Sequence, residues 1–162
     1  MQRPANKIAE TKLPFICRLA PEKDAIELEW FDKGSLDAHT LKWRRKDSDL
    51  PWNSIAADAA RMRIDGLESN LDYELCIVRK DRPDETSAVR YARTGVVPGR
   101  VVNYLHPEDG LYAFSGRALC SPSIVKLPSG SLLVSMDLFA SGAPQNLTLL
   151  FRSDDRGRSW YY

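Results

Sequence analysis

The sequence predicts an all-β protein in two parts: an antiparallel sandwich over residues 13–95 and a shorter β-meander over 111–162. Three observations predict it. Apolar and polar residues alternate with a period of two in short segments, and polar or Gly/Pro turns separate those segments. No segment carries a sustained 3.6-residue stripe. The nearest, "SIAADAARM", is too brief for a helix and sits between two strand patterns. Residues 1–12 read as a tail. Residues 96–110, "VVPGRVVNYLHPEDG", hold two Pro and two Gly and read as a linker, whose apolar "VVNYL" is expected to pack rather than swing freely.

The strands follow in order. "FICRLA" opens the sandwich. "AIELEWF" places Ile26, Leu28 and Trp30 on one face, with Glu27 and Glu29 on the other. "HTLKWRRK" sets Leu41 and Trp43 inward, leaving Lys42 and Arg44 on a solvated face. "WNSIAA" and "ARMRIDGL" continue the pattern, the latter with Met62 and Ile64 in phase. "DYELCIVRK" turns Tyr73, Leu75 and Ile77 inward and Cys76 outward, and "SAVRYARTG" ends the run. After the linker, "SPSIVKLPSG" is a strand closed by a Pro-Ser-Gly turn, and "SLLVSMDLF" is a strongly apolar strand. "ASGAPQ" is a loop, "NLTLLFRS" a further strand, and "DDRG" turns into "RSWYY", a fourth strand cut short.

Composition narrows the function classes. The chain has 162 residues, 43% hydrophobic and 28% charged, with a formal charge of +1. Those are ordinary values for a folded domain, and the scattered basic residues supply no field for nucleic acid or an anionic membrane. "KWRRK" beside Trp52 is read as a strand face rather than a nucleic-acid surface. No apolar run approaches the roughly 18 residues of a membrane span, and the first residues hold no signal-like apolar core. Cys17, Cys76 and Cys120 are odd in number and widely spaced, which fits neither a disulfide framework nor a zinc site. They lean towards free thiols in a reducing compartment. His39 and His106 stand apart, Asn146 opens an Asn-Leu-Thr sequon, and no cofactor or metal motif is present.

Residues 13–95 resemble a fibronectin type III domain. The resemblance rests on Trp30, on "LKWRRK", on Trp52 after a Pro turn, and above all on "GLESNLDYELCIV". There Leu67 precedes Tyr73 by the family's spacing, which implies that the Tyr73 hydroxyl locks the corner ahead of its strand.

The C-terminal "SDDRGRSW" (Ser153, Asp155, Gly157, Trp160) can be read without any resemblance. Asp155 accepts from backbone N–H groups of the turn, Gly157 supplies a conformation that side chains oppose, Ser153 ties the incoming strand and Trp160 buries the outgoing one. The pattern is similar to the Asp-box, or BNR repeat, of sialidase-like β-propellers, and with the strands before it resembles the first blade of that fold. The full expectation is therefore a fibronectin type III-like sandwich followed by a partial propeller, one four-stranded meander blade. In that family the box is structural and lies away from the sugar site.

The resemblance also implies where a site would be. Active members begin the first blade with Arg-Ile-Pro, whose Arg helps clamp the substrate carboxylate in bidentate fashion. Here Cys120-Ser121-Pro122 occupies that place, so the guanidinium is missing. Arg117 is a candidate substitute only with a shifted register. Asp137 ends an apolar strand and is a candidate sugar-binding or acid/base carboxylate, or else a strand-end cap. The Tyr/Glu nucleophile pair of sialidases would come from later blades. The expectation is an N-terminal fragment of a glycan-binding or glycan-processing protein, silent in catalysis on its own, which meets glycan through a parent propeller and exposes apolar strands to oligomerisation or domain swapping. The alternative is a non-enzymatic adhesion or interaction module.

Overall fold

The computed structural model describes residues 14–32, 39–106, 108, 119–138 and 147–162, and these form strands and turns with no helix. The strands are β1 (Phe15–Pro21), β2 (Ile26–Phe31), β3 (His39–Arg45), β4 (Asn53–Ala57), β5 (Arg61–Ile64), β6 (Asp72–Arg79), β7 (Arg90–Arg93), β8 (Leu119–Lys126), β9 (Leu132–Leu138) and β10 (Leu147–Ser153). They build three antiparallel sheets, ordered β1-β2-β5, β4-β3-β6-β7 and β10-β9-β8.

The first two sheets share one core. Ile26, Leu28 and Trp30 of β2 meet Leu41 of β3 and Tyr73, Leu75 and Ile77 of β6, with Trp43, Met62 and Leu67 packed at its margin. These are the residues that period-two alternation puts on one face, and each fully buried Leu or Ile contributes roughly 1.5–3 kcal/mol. Cys76 has the opposite phase, as expected, yet it is also buried.

The turn into β6 is fixed by two polar ties and a close backbone approach. The Tyr73 hydroxyl accepts the Glu68 N–H at 2.9 Å, and Thr94 Oγ1 donates to the Glu68 carbonyl at 2.6 Å. Asn70 takes a left-handed φ of 64°, and Gly95 stands so close that a Cβ there would lie 2.9 Å from Asn70 Oδ1. A side chain at position 95 would have to displace the Asn70 amide and adopt a φ of 151° that side chains disfavour.

β1 departs from simple alternation. Its pairing with β2 shifts register between Ile16 and Arg18, so Cys17 is an extra residue. The bulge lets both Ile16 and Leu19 face the core while Arg18 turns to the opposite side. Every residue of β1 is buried, because that opposite side is covered as well.

Residues 101–106 supply the cover. Arg18 Nε donates to the Val102 carbonyl at 2.7 Å, and Asn103 Oδ1 accepts the Leu19 N–H at 3.0 Å. Arg90, 1% exposed, donates to the Ile16 carbonyl at 2.7 Å and to the Tyr104 carbonyl at 3.3 Å. Tyr104 packs against the sandwich core, while Val102 and Leu105 face the third sheet.

The third sheet presents Val134, Met136, Leu149 and Phe151 to those two side chains, and Trp160 joins the cluster. Tyr161 bridges Arg152 through paired backbone hydrogen bonds, Arg152 N to Tyr161 O at 2.8 Å and the reverse at 3.0 Å. The expected fourth strand is thus a single bridge beside β10. The Tyr162 N–H reaches Glu29 Oε2 at 3.1 Å, tying this end of the sheet to β2. At the other edge, Ile124 and Val125 of β8 are exposed.

Tyr73→Phe isolates the corner tie by removing only the hydroxyl. It is expected to lower the unfolding free energy by about 1–2 kcal/mol, since the Glu68 N–H loses its acceptor. Urea titration with an unchanged midpoint would show that the corner does not depend on this bond.

Candidate functional site

The residues Ser153, Asp155, Gly157 and Trp160 close into one hydrogen-bonded clasp. Ser153 is fully buried at the end of β10; its Oγ donates to Asp155 Oδ1 at 2.8 Å and accepts the Gly157 N–H at 2.8 Å. Asp155 Oδ1 also accepts the Ser159 N–H at 2.9 Å, and Oδ2 accepts the Ser159 hydroxyl at 2.5 Å. The Ser159 hydroxyl and N–H hold the Asp155 carboxyl well below the usual carboxylate range. Arg156 and Gly157 have φ of 63° and 85°, so the chain reverses through two left-handed residues. Trp160 then returns to the apolar cluster beside Leu132.

The adjacent Asp154 belongs to a second group. Its carboxylate accepts Ser131 Oγ at 2.6 Å, Arg152 Nε at 2.9 Å and the Tyr161 hydroxyl. The Ser131 and Tyr161 hydroxyls, then Arg152, lower its pKa. Both aspartates hold the β10–Tyr161 reversal through hydroxyl, N–H and guanidinium donors.

Asp137 lies opposite Cys120 on β8 and Thr148 on β10. Its Oδ1 accepts the Thr148 hydroxyl at 2.6 Å, a cross-strand tie on the face opposite Val134 and Met136. β8 carries an irregularity between Cys120 and Ser123, the stretch holding Pro122, which cannot donate to a strand ladder. Backbone register thus places Asp137 directly across from Cys120, next to that irregularity. Arg117 and Asn146 lie outside the described residues.

The remaining chemistry-bearing residues are dispersed. His39 Nε2 lies 2.7 Å from Asp32 Oδ2, and Arg79 grips both oxygens of that carboxylate at 2.7 Å. His106 Nδ1 accepts the Glu108 N–H at 3.1 Å, and its Nε2 lies 3.4 Å from Asp72. Burial, with the Glu29 charge behind it, pushes the Cys17 thiol up to about 12, which removes it from thiolate chemistry near neutrality. Burial also raises Cys76. Arg44 stacks 4.7 Å over the Trp52 ring and donates to Glu74 at 2.8 Å, so the basic "KWRRK" face is partly neutralised. Among the described residues no group of three or more His, Cys, Asp or Glu could hold a metal ion, and no helix is long and apolar enough to cross a membrane.

Among the described residues a concavity lies elsewhere, where the sandwich, the linker and the clasp meet. It encloses about 250 Å³ between Lys23 and Glu27, Val96 to Val101, and Arg158 to Trp160. Sequence reasoning missed it because its walls come from segments far apart in the chain. The local signal was an arginine inside an apolar strand, Arg18 in "FICRLA", which demands a buried partner.

The clasp makes two separable demands. Ser153→Ala leaves the Gly157 N–H unpaired and is expected to destabilise the third sheet by about 1–3 kcal/mol, read as lost amide protection on β9 and β10. Asp155, with its folded pKa lowered, contributes stability that is present above the ordinary carboxylate pKa of about 3.9 and is lost as pH falls through the folded value. The stability gap between wild type and Asp155→Asn should therefore be constant near neutrality and shrink in acid. A gap independent of pH would contradict the ionised clasp.

No protein-family model matches this sequence. A search of curated proteins finds no match. Among solved structures, the chain is similar to a computer-redesigned β-sandwich protein at a TM-score of 0.42 and 15% identity, over 53% of this chain and 99% of that one.

Proposed function

We propose that this chain serves a glycan-binding or glycan-processing protein, as a fibronectin type III-like sandwich carrying the first blade of a sialidase-like propeller. The single observation that supports this most is the closed Ser153–Asp155–Gly157–Trp160 clasp between β10 and the Tyr161 bridge. Such a clasp is the structural joint that the Asp-box resemblance implies, at the place in the meander where it implies it. The Tyr73–Glu68 bond in a three-on-four sandwich supports the fibronectin type III-like reading of the first part.

On this reading residues 1–162 have no catalysis of their own. Cys120 replaces the guanidinium that would compensate a substrate carboxylate, and binding that charge without a partner is costly. Asp137 is tied to Thr148 rather than to a reacting group. A glycan site would need the facing sheets of further blades around an axis.

A second reading, a non-enzymatic interaction module, draws support from β8. Ile124 and Val125 are 62% and 52% exposed on a strand paired, among the described residues, only with β9, and such edges favour association with another chain.

Glycan arrays and a fluorogenic sialoside separate the readings. Residues 1–162 are expected to leave the sialoside uncleaved and to retain no glycan. A longer product of the same gene, with further clasps at intervals of roughly 40–60 residues, is expected to bind glycan. Sialoside turnover by residues 1–162 would sink the catalytic assignment. A longer product without further clasps, together with self-association in sedimentation, would transfer the proposal to the interaction module.

A further inference from the structure

The cleft at the junction of sandwich, linker and clasp is unbalanced in charge. Arg18, Lys23, Arg100 and Arg158 line it against only Glu22 and Glu27. Both carboxylates are already engaged. Glu22 is held by Arg63 at 3.0 Å and by Arg100 at 3.1 Å. Glu27 is gripped by Arg61 and lies 3.5 Å from Arg18 Nη1. Lys23 and Arg158 have no carboxylate partner among the described residues, and both are exposed at the rim.

Beneath them, Arg18 is 2% exposed, and its Nη1 makes no hydrogen bond. A guanidinium fixed at low dielectric projects its charge further than one in water. The lining also has an apolar and open part: Val96 is 78% exposed and Val97 is 44% exposed, and Trp160 lines the cleft as well. An apolar wall with a few convergent polar groups, at the meeting of two structural units, is the usual form of a small-molecule site.

We propose that this cleft binds a small organic anion, a carboxylate on a compact apolar body. The carboxylate bridges Lys23 of the β1–β2 turn and Arg158 of the clasp over the buried Arg18 charge, while the apolar body lies on Val96 and Val97. Because the two cations belong to different structural units, the ligand also ties the clasp to the sandwich. The inference is independent of the propeller reading, since it uses only groups present in this chain.

Benzoate, with sulfate as an anion lacking the apolar body, tests it at constant ionic strength. Two-dimensional NMR of the full chain is expected to show saturable benzoate-induced shifts at Lys23, Val97, Gly99 and Ser159 amides and at one Trp indole. Sulfate should shift the Lys23 and Ser159 amides more weakly and leave Val97 unmoved. Lys23→Gln with Arg158→Gln, both at exposed sites, should weaken benzoate about tenfold or more, the loss expected for two charge-assisted hydrogen bonds. Val97→Asp should weaken benzoate while sparing sulfate. Non-saturable shifts, shifts spread over the surface, or equal affinity in the double variant would each overturn the proposal.

Discussion

Two buried guanidiniums hold this molecule together. Arg18 and Arg90 donate to the carbonyls of Val102 and Tyr104, and Arg90 also donates to the Ile16 carbonyl inside β1. A linker without secondary structure has main-chain acceptors that must be satisfied if it is buried. Charged donors are the strong way to satisfy them. The ties make residues 101–106 a filling between two sheets: Tyr104 enters the sandwich core, and Val102 and Leu105 enter the core of the third sheet. Without them β1 would have a solvent face and the third sheet would keep only Trp160 and its own side chains over its apolar side.

The bulge at Cys17 is the local condition for this arrangement. It reverses the phase of β1, so that Ile16 and Leu19 both pack inward and the one long cation between them points to the linker. Burial lowers the Arg18 pKa while the Glu27 charge opposes the shift. The same orientation puts its charge under the junction cleft. The clasp takes part from the other side: by turning the chain back at Gly157 it delivers Trp160 to the shared cluster, Arg158 and Ser159 to the cleft, and the Tyr162 N–H to Glu29.

What the sequence made legible follows from the range of each interaction. β2, β3 and β6 were readable because burial on one face of a strand imposes a period of two, and the Tyr73 corner and the Ser153–Trp160 clasp are settled within a few residues of chain. β1 was readable as a strand, but which side chains face the core was not, because the bulge between Ile16 and Arg18 changes its phase. The burial of Cys76 was equally hidden, since its phase points outward. The roles of Arg18 and Arg90 depend on carbonyls that arrive 84 and 14 residues later. The cleft joins three distant segments, so no spacing could announce it. At Asp137 the local reading left two roles open, and the Thr148 hydroxyl at 2.6 Å gives it a cross-strand partner.

The coupling of the two parts through the buried arginines can be measured by native-state hydrogen exchange on Arg18→Met with Arg90→Met, which retains apolar stems while deleting the donors. In the wild type, amides of β2, β6, β9 and β10 should open in one cooperative step. In the variant, β9 and β10 should lose protection at a lower free energy than β6, because the linker no longer fixes the sheet to the sandwich. If β9 and β10 keep the same opening free energy as β6 in the variant, the guanidinium ties are not what holds the two parts together.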